Sequence, residues 1–566
     1  MNRTHSRLLF GTTWLAALFL AAAPITSARA DATTEKLIQI LVQNGVLRKD
    51  QAAVLLQQAQ AEAAGETTTK PANAAEPKLK PNTVRVVYIP QVVREQIATE
   101  VKQQVMQQAV EEGWAEPNEI PSWTQRVRVS GDVRVRGQAN LYDAGNANDF
   151  IDFNNINGTS NGYDASGSSG LPPFLNTTQD REFMQLRARL DVSAQVSDWI
   201  DTEIRLATGA NSSPVSSNQT LGAASGTGAA GDFQKYSIWL DNATISIHPS
   251  PTFNLIFGRG PNVYDLSNLM FDREVKFDGI SNQTRFKVND RLGLFINDGA
   301  YTLFTADTNY GEPDEMKTPS RNEYLFAAQA GAEYHWDNVE TTKLGVGYFS
   351  YVNVQAATSA LCIAPTAYGS CSTDSSRAPF VQFGNTLMPV RDIAITTTSS
   401  TATPQPQFYG LASRFQVLDL HGTYVYSGFS PNDIVFEGEF AKNLAFDRAA
   451  METKVLANNA GPDGTGFSGG DTAYMAKILW GKQNPTNLWD YNVSLAYKYL
   501  ETDSTVDAFT DALFHLGGTN AKGYIISGNL NVGSNTTLTT SLYSAKQVTG
   551  APYANNVIIT DLMTSF

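Results

Sequence analysis

Residues 124–142 read TQRVRVSGDVRVRGQANLY, and apolar and polar side chains alternate along this stretch with a period of two. Valines recur at every second position on either side of Gly131, with arginines and an aspartate between them. Such alternation predicts a β-strand with one apolar face and one polar face. Because the polar face carries full charges in mid-strand, it needs water beside it rather than a protein core.

The same alternation recurs at 182–196, 324–336 and 489–499. The apolar faces end in aromatic residues at their tips, and aromatic residues make up 10% of the chain. Aromatic girdles of this kind lie at the two membrane interfaces of transmembrane β-barrels. These segments therefore predict strands with lipid on one side and water on the other.

The connections between the predicted strands alternate between short and long. Seven short turns are predicted at about 197–198, 248–251, 288–291, 336–340, 427–433, 481–488 and 533–536. Eight longer loops, rich in Gly, Ser, Asn and Asp, are predicted at about 143–181, 210–233, 260–274, 308–322, 356–404, 447–469, 503–520 and 548–554. This pattern predicts an all-β transmembrane barrel of about 16 antiparallel strands, with about 18 as the alternative and the short turns on the periplasmic side.

Phe566 favours a closed barrel, because it is a large aromatic residue at the end of an alternating stretch. In a closed barrel the last strand pairs with the first, and its end lies at the membrane interface. We expect this strand to pair with the one that begins near Thr124 and to be recognised by the barrel-assembly machinery. The alternative is a secreted adhesin of several β-sandwiches, which would need neither alternating loop lengths nor aromatic girdles.

The first thirty residues have the features of a secretory signal peptide. A basic region with Arg3 and Arg7 precedes an apolar run at 8–23, and Ala28 and Ala30 form a cleavage site. After residue 30, no apolar run approaches the roughly 18–20 residues that a membrane-spanning helix needs. We therefore predict a signal peptide at residues 1–30 and export to the bacterial outer membrane.

Between the signal peptide and the barrel, residues 31–120 predict an α-helical periplasmic segment, and the barrel is placed at 121–566. A flexible linker rich in Ala, Thr, Lys and Pro is predicted at about 61–81. A narrow apolar stripe with a spacing of four then predicts a helix at about 91–112. This helix either forms a short self-associating coiled coil or docks on the barrel as an amphipathic helix.

The composition excludes several classes of function. A formal net charge of −14 argues against nucleic acid as a partner. The histidines are scattered without metal-ligand spacing, and no nucleophile elbow, P-loop or HExxH motif is found. We therefore predict no enzyme, no metal and no cofactor. Cys362 and Cys371 are expected to close a loop disulfide, with two free thiols as the alternative.

If the valines of the first strand face lipid, the charges between them face the lumen, and the next two strands continue the pattern. The predicted pore-lining residues are Arg126, Arg128, Asp132, Arg134, Arg136, Arg187, Arg189, Asp191, Asp201, Glu203 and Arg205. Arginines outnumber carboxylates in this set, so the wall should be a net basic ladder. Arginine suits such a wall because its planar guanidinium keeps its charge and is weakly hydrated beside like neighbours.

The third long loop carries a second group of charges, formed by Asp265, Asp272, Arg273 and Glu274. Our hypothesis is that this loop folds into the barrel and sets its carboxylates across from the arginine ladder. The resulting transverse field would orient polar solutes and select them by size and charge. In the alternative, these charges pair with each other as structural salt bridges and the loop packs on the rim.

Several motifs resemble the "putative porin" family of Gram-negative outer membranes. They are NGVL at 44–47, IPQVV at 89–93, EEGW at 111–114, IPSW at 120–123, SGDVRVR at 130–136, GR at 258–259 and KFDG at 276–279. The Gly-Asp-x-Arg-x-Arg block after Trp123 is the most specific of them. Thr560 and Thr564 depart from the pattern, because such closing strands usually carry larger apolar residues. The resemblance implies an outer-membrane channel, homotrimeric as porins generally are, and it defines no substrate.

These features predict a channel in the outer-membrane lipid for passive diffusion of ions and small hydrophilic solutes. About 16 strands are enough to leave an aqueous lumen, whereas about eight are filled by side chains. Two alternatives stay open. The channel could be selective for one substrate, or the barrel could anchor a structural protein whose segment 31–120 tethers the membrane to the cell envelope.

Overall fold

The computed structural model describes residues 100–102, 104–105, 125–159, 162–165, 170–222, 233, 235–306, 321–362, 373–394, 405–461 and 464–566. The predicted signal peptide and linker lie outside the described residues. So does the predicted helical segment 31–120, except for residues 100–102 and 104–105, which are helical. Cys371 is also outside them, so the Cys362–Cys371 disulfide stays a prediction. Within the described part, no helix is long and apolar enough to cross a membrane.

Sixteen antiparallel strands form one closed barrel. They are β1 Val127–Tyr142, β2 Arg181–Ser197, β3 Ile200–Ala207, β4 Trp239–Ser250, β5 Phe253–Pro261, β6 Lys276–Lys287, β7 Leu292–Phe304, β8 Glu323–His335, β9 Glu340–Val352, β10 Gln416–Phe429, β11 Asn432–Asn443, β12 Thr472–Gly481, β13 Tyr491–Leu500, β14 Ala521–Gly533, β15 Thr536–Gln547 and β16 Ala554–Ser565. Each strand pairs with its neighbours in sequence, and β1 pairs with both β2 and β16. The prediction of 16 strands is confirmed.

The observed connections alternate in length as predicted. The short turns join β2 to β3, β4 to β5, β6 to β7, β8 to β9, β10 to β11, β12 to β13 and β14 to β15. The long connections are loop 1 (143–180), loop 2 (208–238), loop 3 (262–275), loop 4 (305–322), loop 5 (353–415), loop 6 (444–471), loop 7 (501–520) and loop 8 (548–553). The two ends of the barrel therefore differ, and the loops that can reach the lumen all come from one end.

The alternation fixes which side chains face inward. Along β1, Val129 and Val133 are exposed on the outside, whereas Asp132 and Arg136 are shielded inside. A period of two places each such set on one face of the sheet. Aromatic residues lie exposed at the short-turn end of the outer face, among them Trp199, Trp336, Trp480 and Tyr491.

The barrel closes where the last residue of the chain meets β1 at Gly131. The Phe566 amide donates to the Gly131 carbonyl, and the Gly131 amide donates to the Phe566 carbonyl, at 3.0 Å each. A Cβ atom at position 131 would lie 2.4 Å from the Arg189 carbonyl oxygen and 2.8 Å from the Phe566 ring. Gly131 is therefore the residue that lets the aromatic end pack against the seam.

Candidate functional site

Loop 3 runs across the inside of the barrel. Near its C-terminal end, Glu274 forms an ion pair with Arg187 on β2. Near its N-terminal end, an Asp265 carboxylate oxygen lies 2.8 Å from Lys343 Nζ on β9, and the other lies 3.4 Å from His421 Nδ1 on β10. In a ring of sixteen strands, β2 and β10 are eight strands apart and hence on opposite sides. A loop that touches both must cross the lumen.

The middle of loop 3 is held by apolar packing. Leu269, Met270 and Phe271 are 0–2% exposed and belong to the main buried cluster. The Phe271 ring lies 5.2 Å from the Phe277 ring and 5.6 Å from the Phe349 ring, measured between centroids. Three consecutive apolar side chains inside a polar lumen need such a cluster, since exposing them to water would be unfavourable.

Polar contacts continue this anchoring toward loop 7 and the far wall. The Ser267 amide donates to Glu439 on β11, and Lys498 on β13 donates to the Asn268 carbonyl at 2.8 Å. The Asp272 amide donates to the Phe509 carbonyl of loop 7 at 2.7 Å. Loop 3 is thus joined to both the barrel wall and a second loop.

Loop 7 is itself fixed by loop 5. The Asn385 side-chain amide donates to the Thr502 and Thr505 carbonyls at 2.7 and 2.8 Å. The Thr386 hydroxyl donates to Asp503 at 2.6 Å. These groups are almost entirely buried, so the hydrogen bonds form where water does not compete for them. Loops 3, 5 and 7 therefore form one connected body that fills part of the lumen.

Five arginines of the predicted ladder, Arg134, Arg136, Arg187, Arg189 and Arg205, form ion pairs with carboxylates. The register places Arg134 opposite Arg187 and Asp132 opposite Arg189. The inward ion pairs are Arg187–Asp132 at 2.8 Å, Arg189–Asp132 at 2.6 Å, Arg136–Asp561 at 2.7 Å and Arg205–Asp191 at 2.5 Å. Glu203 lies 3.7 Å from Arg205, and Asp201 pairs with His248 instead. The expected excess of positive charge is largely balanced by carboxylates.

Two carboxylates that pair with the ladder were not among the residues predicted from the sequence to line the pore. Asp561 on β16 forms a bidentate pair with Arg136, and Asp241 on β4 lies 4.0 Å from Arg205. Closure of β16 on β1 predicts that Asp561 lies beside the first strand, but its position directly opposite Arg136 depends on the register of the two strands. Asp241 offers no comparable signal, since it lies where the β3–β4 register shifts.

Arg126 and Arg128 stand apart from this network. Both side chains are exposed near the short-turn end of β1. Within the part of the chain that the structure describes, neither takes part in an ion pair. The arginines in and just before β1 are therefore of two kinds. Those near the middle of the barrel are paired, and those near the short-turn end are exposed.

The carboxylates of loop 3 do not face the arginines across a gap. Glu274 is in direct contact with Arg187, and Asp265 is bound to the opposite wall. Asp272 faces loop 7, where its carboxylate accepts a hydrogen bond from the Ala512 amide at 3.1 Å. Arg273 is exposed toward the open part of the lumen. The four residues of the predicted set thus lie in four different surroundings.

These surroundings change the acidity of the loop carboxyls in opposite directions. Burial alone would raise the pKa of Glu274, but the charges of Arg187 and Arg189 lower it to about 2. Burial raises the pKa of Asp272 to about 7, and the nearby Asp511 carboxylate adds to the effect. In loop 7, burial likewise raises the pKa of Asp507 to about 7.

We expect the contact between loops 3 and 7 to weaken as the pH rises. Because the pKa of Asp272 is higher in the folded protein than in the unfolded chain, its stabilising effect is complete below its ordinary pKa and is lost as the pH approaches about 7. Hydrogen exchange of the Ala512 amide, corrected for the intrinsic rate, should show less protection at pH 8 than at pH 5.

An Asp272→Asn variant is the control for this pH dependence, because an amide does not titrate. Protection of the Ala512 amide should then vary less with pH than in the wild type. Equal pH dependence in the two proteins would show that Asp272 is not the responsible group.

An opening remains between the loop body and one side of the barrel. It is a cavity of about 550 Å³ bounded by loops 2, 3 and 7 and by β1, β2 and β12–β16. Its charged lining residues are Arg134, Arg136, Asp272, Arg273, Glu274, Lys477, Asp511 and Asp561. Neutral polar side chains such as Asn492, Ser527 and Thr539 make up much of the facing wall. Of the predicted ladder, only Arg134 and Arg136 line this opening.

Two of the cations in the opening are incompletely paired. The buried Nε of Arg134 has no hydrogen-bond partner, and this atom lies 3.9 Å from Asp561. No ion pair of Arg273 is seen among the described residues. Arg134 is shielded, whereas Arg273 is exposed, so Arg273 on loop 3 is the side chain more available to a passing solute.

A closed barrel with an apolar outside, a charged inside and a loop across its lumen defines an outer-membrane channel. No cluster of three or more His, Cys, Asp or Glu side chains in the described ranges could hold a metal ion. The family model "Putative porin" matches residues 31–566, and the chain belongs to this family. Fold and family indicate a channel rather than an enzyme.

Several solved barrels are similar to this chain. The outer membrane channel DcaP of Acinetobacter baumannii is 11% identical over 78% of this chain and 98% of its own, with a TM-score of 0.36. OprB of Pseudomonas putida is 10% identical over 78% and 95%, with a TM-score of 0.38. Salmonella typhi OmpF, in complex with daunomycin, is 7% identical over 78% and 97%, with a TM-score of 0.36. No curated protein sequence matches the chain.

Proposed function

We propose that this porin is a passive diffusion channel for ions and small hydrophilic solutes, narrowed by loop 3. The observations that carry this proposal are the crossing of the lumen by loop 3 between Arg187 and His421 and the polar opening beside that loop. Solutes would pass between the loop body and the wall formed by β12–β16 and β1. The pore-lining residues that matter most would then be Arg134, Arg136, Arg273 and Glu274.

The opening carries four basic and four acidic side chains, so it favours neither sign of charge strongly. Selection would come from size and from the field between fixed charges, as in other charged pores. Arg273 gives one reason to retain the substrate-selective alternative, because an exposed arginine without an ion pair among the described residues can bind an anionic group in two-point fashion. Conductance that saturates with an anionic solute would favour that alternative.

Neutralising the arginines of the opening should shift ion selectivity toward cations. We expect Arg134→Gln and Arg273→Gln each to move the reversal potential, measured across a salt gradient in a planar bilayer, in the cation-selective direction. Arg128→Gln is the matched control, because Arg128 lies on the inner face of the same strand but outside the opening. Unchanged reversal potentials in both lining variants would show that solutes do not pass here.

The remaining expectations belong to the same proposal. We expect a homotrimer in the outer membrane, assembled by the barrel-assembly machinery through the strand that ends at Phe566, after removal of residues 1–30. The periplasmic role of residues 31–120 stays a prediction. The envelope-tethering alternative depends on that segment, so pull-down of cell-wall material with it, together with a barrel that does not conduct, would favour tethering.

A further inference from the structure

Two lysines lie side by side on the outer face of the barrel at its loop end. Lys522 is the second residue of β14, and the register places Lys546 of β15 directly opposite it. The adjacent residues Ala521 and Ala545 are buried on the inner face, so the two lysines point outward. Cβ atoms at directly opposite positions of an antiparallel pair are about 4.5–5.5 Å apart, and like charges there are destabilising. An anion beside the two lysines would remove this repulsion.

The described part of the chain does not supply that anion. Within it, neither lysine forms an ion pair, and loop 8, which follows β15, contains no acidic residue. Glu501 at the start of loop 7 instead accepts hydrogen bonds from the Thr472 amide at 2.9 Å and from the Tyr499 hydroxyl at 3.2 Å. The other acidic residues of loop 7 are buried, namely Asp503, Asp507 and Asp511. Both lysines are therefore left to an external anion.

The outer face beside the lysines changes from polar to apolar in steps of two residues. The first row of register partners is formed by Tyr497, Tyr524, Ser544 and Asn556. The next row, nearer the middle of the strands, is formed by Leu495, Ile526, Leu542 and Ile558. Tyrosine favours the headgroup level of a membrane, and aliphatic side chains favour its hydrocarbon. The lysines lie one row beyond the tyrosines, which is the depth of the lipid phosphates.

A phosphorylated lipid fits these rows better than a free anion does. Its phosphate can lie between the lysines while its acyl chains lie along the row of aliphatic side chains, and basic clusters at a membrane surface attract anionic headgroups. A phosphate monoester carries a charge of about −1.5 to −2 at pH 7, which matches two lysines. The phosphodiester of a simple phospholipid carries only a single negative charge. The charge therefore favours a lipid with a phosphate monoester.

We propose that Lys522 and Lys546 form a binding site for a lipid whose headgroup carries a phosphate monoester. The lipid belongs to the leaflet on the loop side, and its chains follow the outer face of β13–β16. Ser544 and Asn556, in the row next to the lysines, offer neutral hydrogen-bonding groups to the same headgroup. The proposal rests on the membrane location within the proposed function but not on what passes through the channel.

Lipid binding to the full-length, detergent-solubilised protein tests the proposal. After EDTA treatment to remove divalent cations, native mass spectrometry should show binding of lipid A, which carries phosphate monoesters on its sugars. The double variant Lys522→Gln, Lys546→Gln should weaken this binding about 30-fold, as expected for two lysines at a membrane surface. Arg259→Gln is the matched control and should bind as the wild type does. Arg259 also lies on the outer face at the loop end, but it is already paired with Asp278, at 2.7 Å.

Equal affinity of the lysine variant and the wild type for lipid A would overturn the proposal, as would an equal loss in Arg259→Gln. Equally tight binding of phosphatidylglycerol would overturn the choice of a phosphate monoester, and full competition by an equal concentration of inorganic phosphate would overturn the choice of a lipid.

A charge-preserving variant separates the charge of the site from its fold. Lys522→Arg, Lys546→Arg should bind lipid A as the wild type does, and loss of binding in this variant would also overturn the proposal. Single-channel conductance should be the same in all these variants, because the substituted side chains lie outside the lumen. A failure of the lipid site is therefore distinguishable from a failure of the channel function.

Discussion

Replacing Phe271 with alanine should loosen loop 3 and raise the single-channel conductance. The side chain is 2% exposed and packs against Phe277, Phe349 and Phe509, so its truncation leaves a cavity at the centre of the loop anchor. Removal of a buried phenylalanine typically costs about 3–5 kcal/mol. Because this packing holds the loop across the lumen, we expect much of the loss to appear as movement of the loop. Planar-bilayer recordings should then show larger and noisier conductance steps.

A matched control for Phe271→Ala is Phe467→Ala. Phe467 is also buried, at 8% exposure, but it packs in a separate cluster with Phe446 of loop 6. We expect this variant to lose stability without the rise in conductance. If Phe271→Ala conducts as the wild type does while its loss of stability is measurable, loop 3 does not form the constriction.

Replacing Arg187 with leucine should destabilise the barrel strongly. The Arg187 side chain is 4% exposed and forms ion pairs with Asp132 and Glu274. Its removal leaves two shielded carboxylates that share only Arg189, and loss of one partner from a buried pair costs about 3–5 kcal/mol. Urea unfolding of the detergent-solubilised protein should show a corresponding fall in the free energy of unfolding.

The double variant Arg187→Leu, Glu274→Gln should recover part of that loss, because it removes one of the two carboxylates and leaves Asp132 paired with Arg189. Arg128→Leu, at an exposed position on the same inner wall, should change the free energy of unfolding little. Equal stability of Arg187→Leu and the wild type would mean that the paired network does not support the fold.

The strands and the order of the loops could be predicted because both are local properties. Alternation along 124–142 fixes the two faces of β1, and turns that contain Gly, Asn or Pro mark the end of every hairpin except the one at Asp198 and Trp199. A period of two does not fix how far one strand is shifted against the next, however. The pair between Arg136 and Asp561 depends on that shift across a separation of 425 residues.

The interior of the lumen was the least predictable part. The position of loop 3 in the chain was correct, but the three surroundings of Asp265, Asp272 and Glu274 depend on strands and loops far away in sequence. The packing of Phe271 on Phe349 and Phe509 could not be predicted either, because the three residues lie far apart in sequence and no local pattern links them. Tertiary contact, rather than local pattern, decides how the loop lies.

The seam between β1 and β16 has a consequence for how the barrel folds. Fifteen of the sixteen pairings join strands adjacent in sequence, and the seven across short turns have a low contact order and can form as local hairpins. The sixteenth pairing joins the two ends of the sheet. Forming it carries the entropic cost of closing a very long loop. Until it forms, β1 and β16 are open edges to which another chain can add. Aggregation and correct assembly therefore compete at one pair of strands.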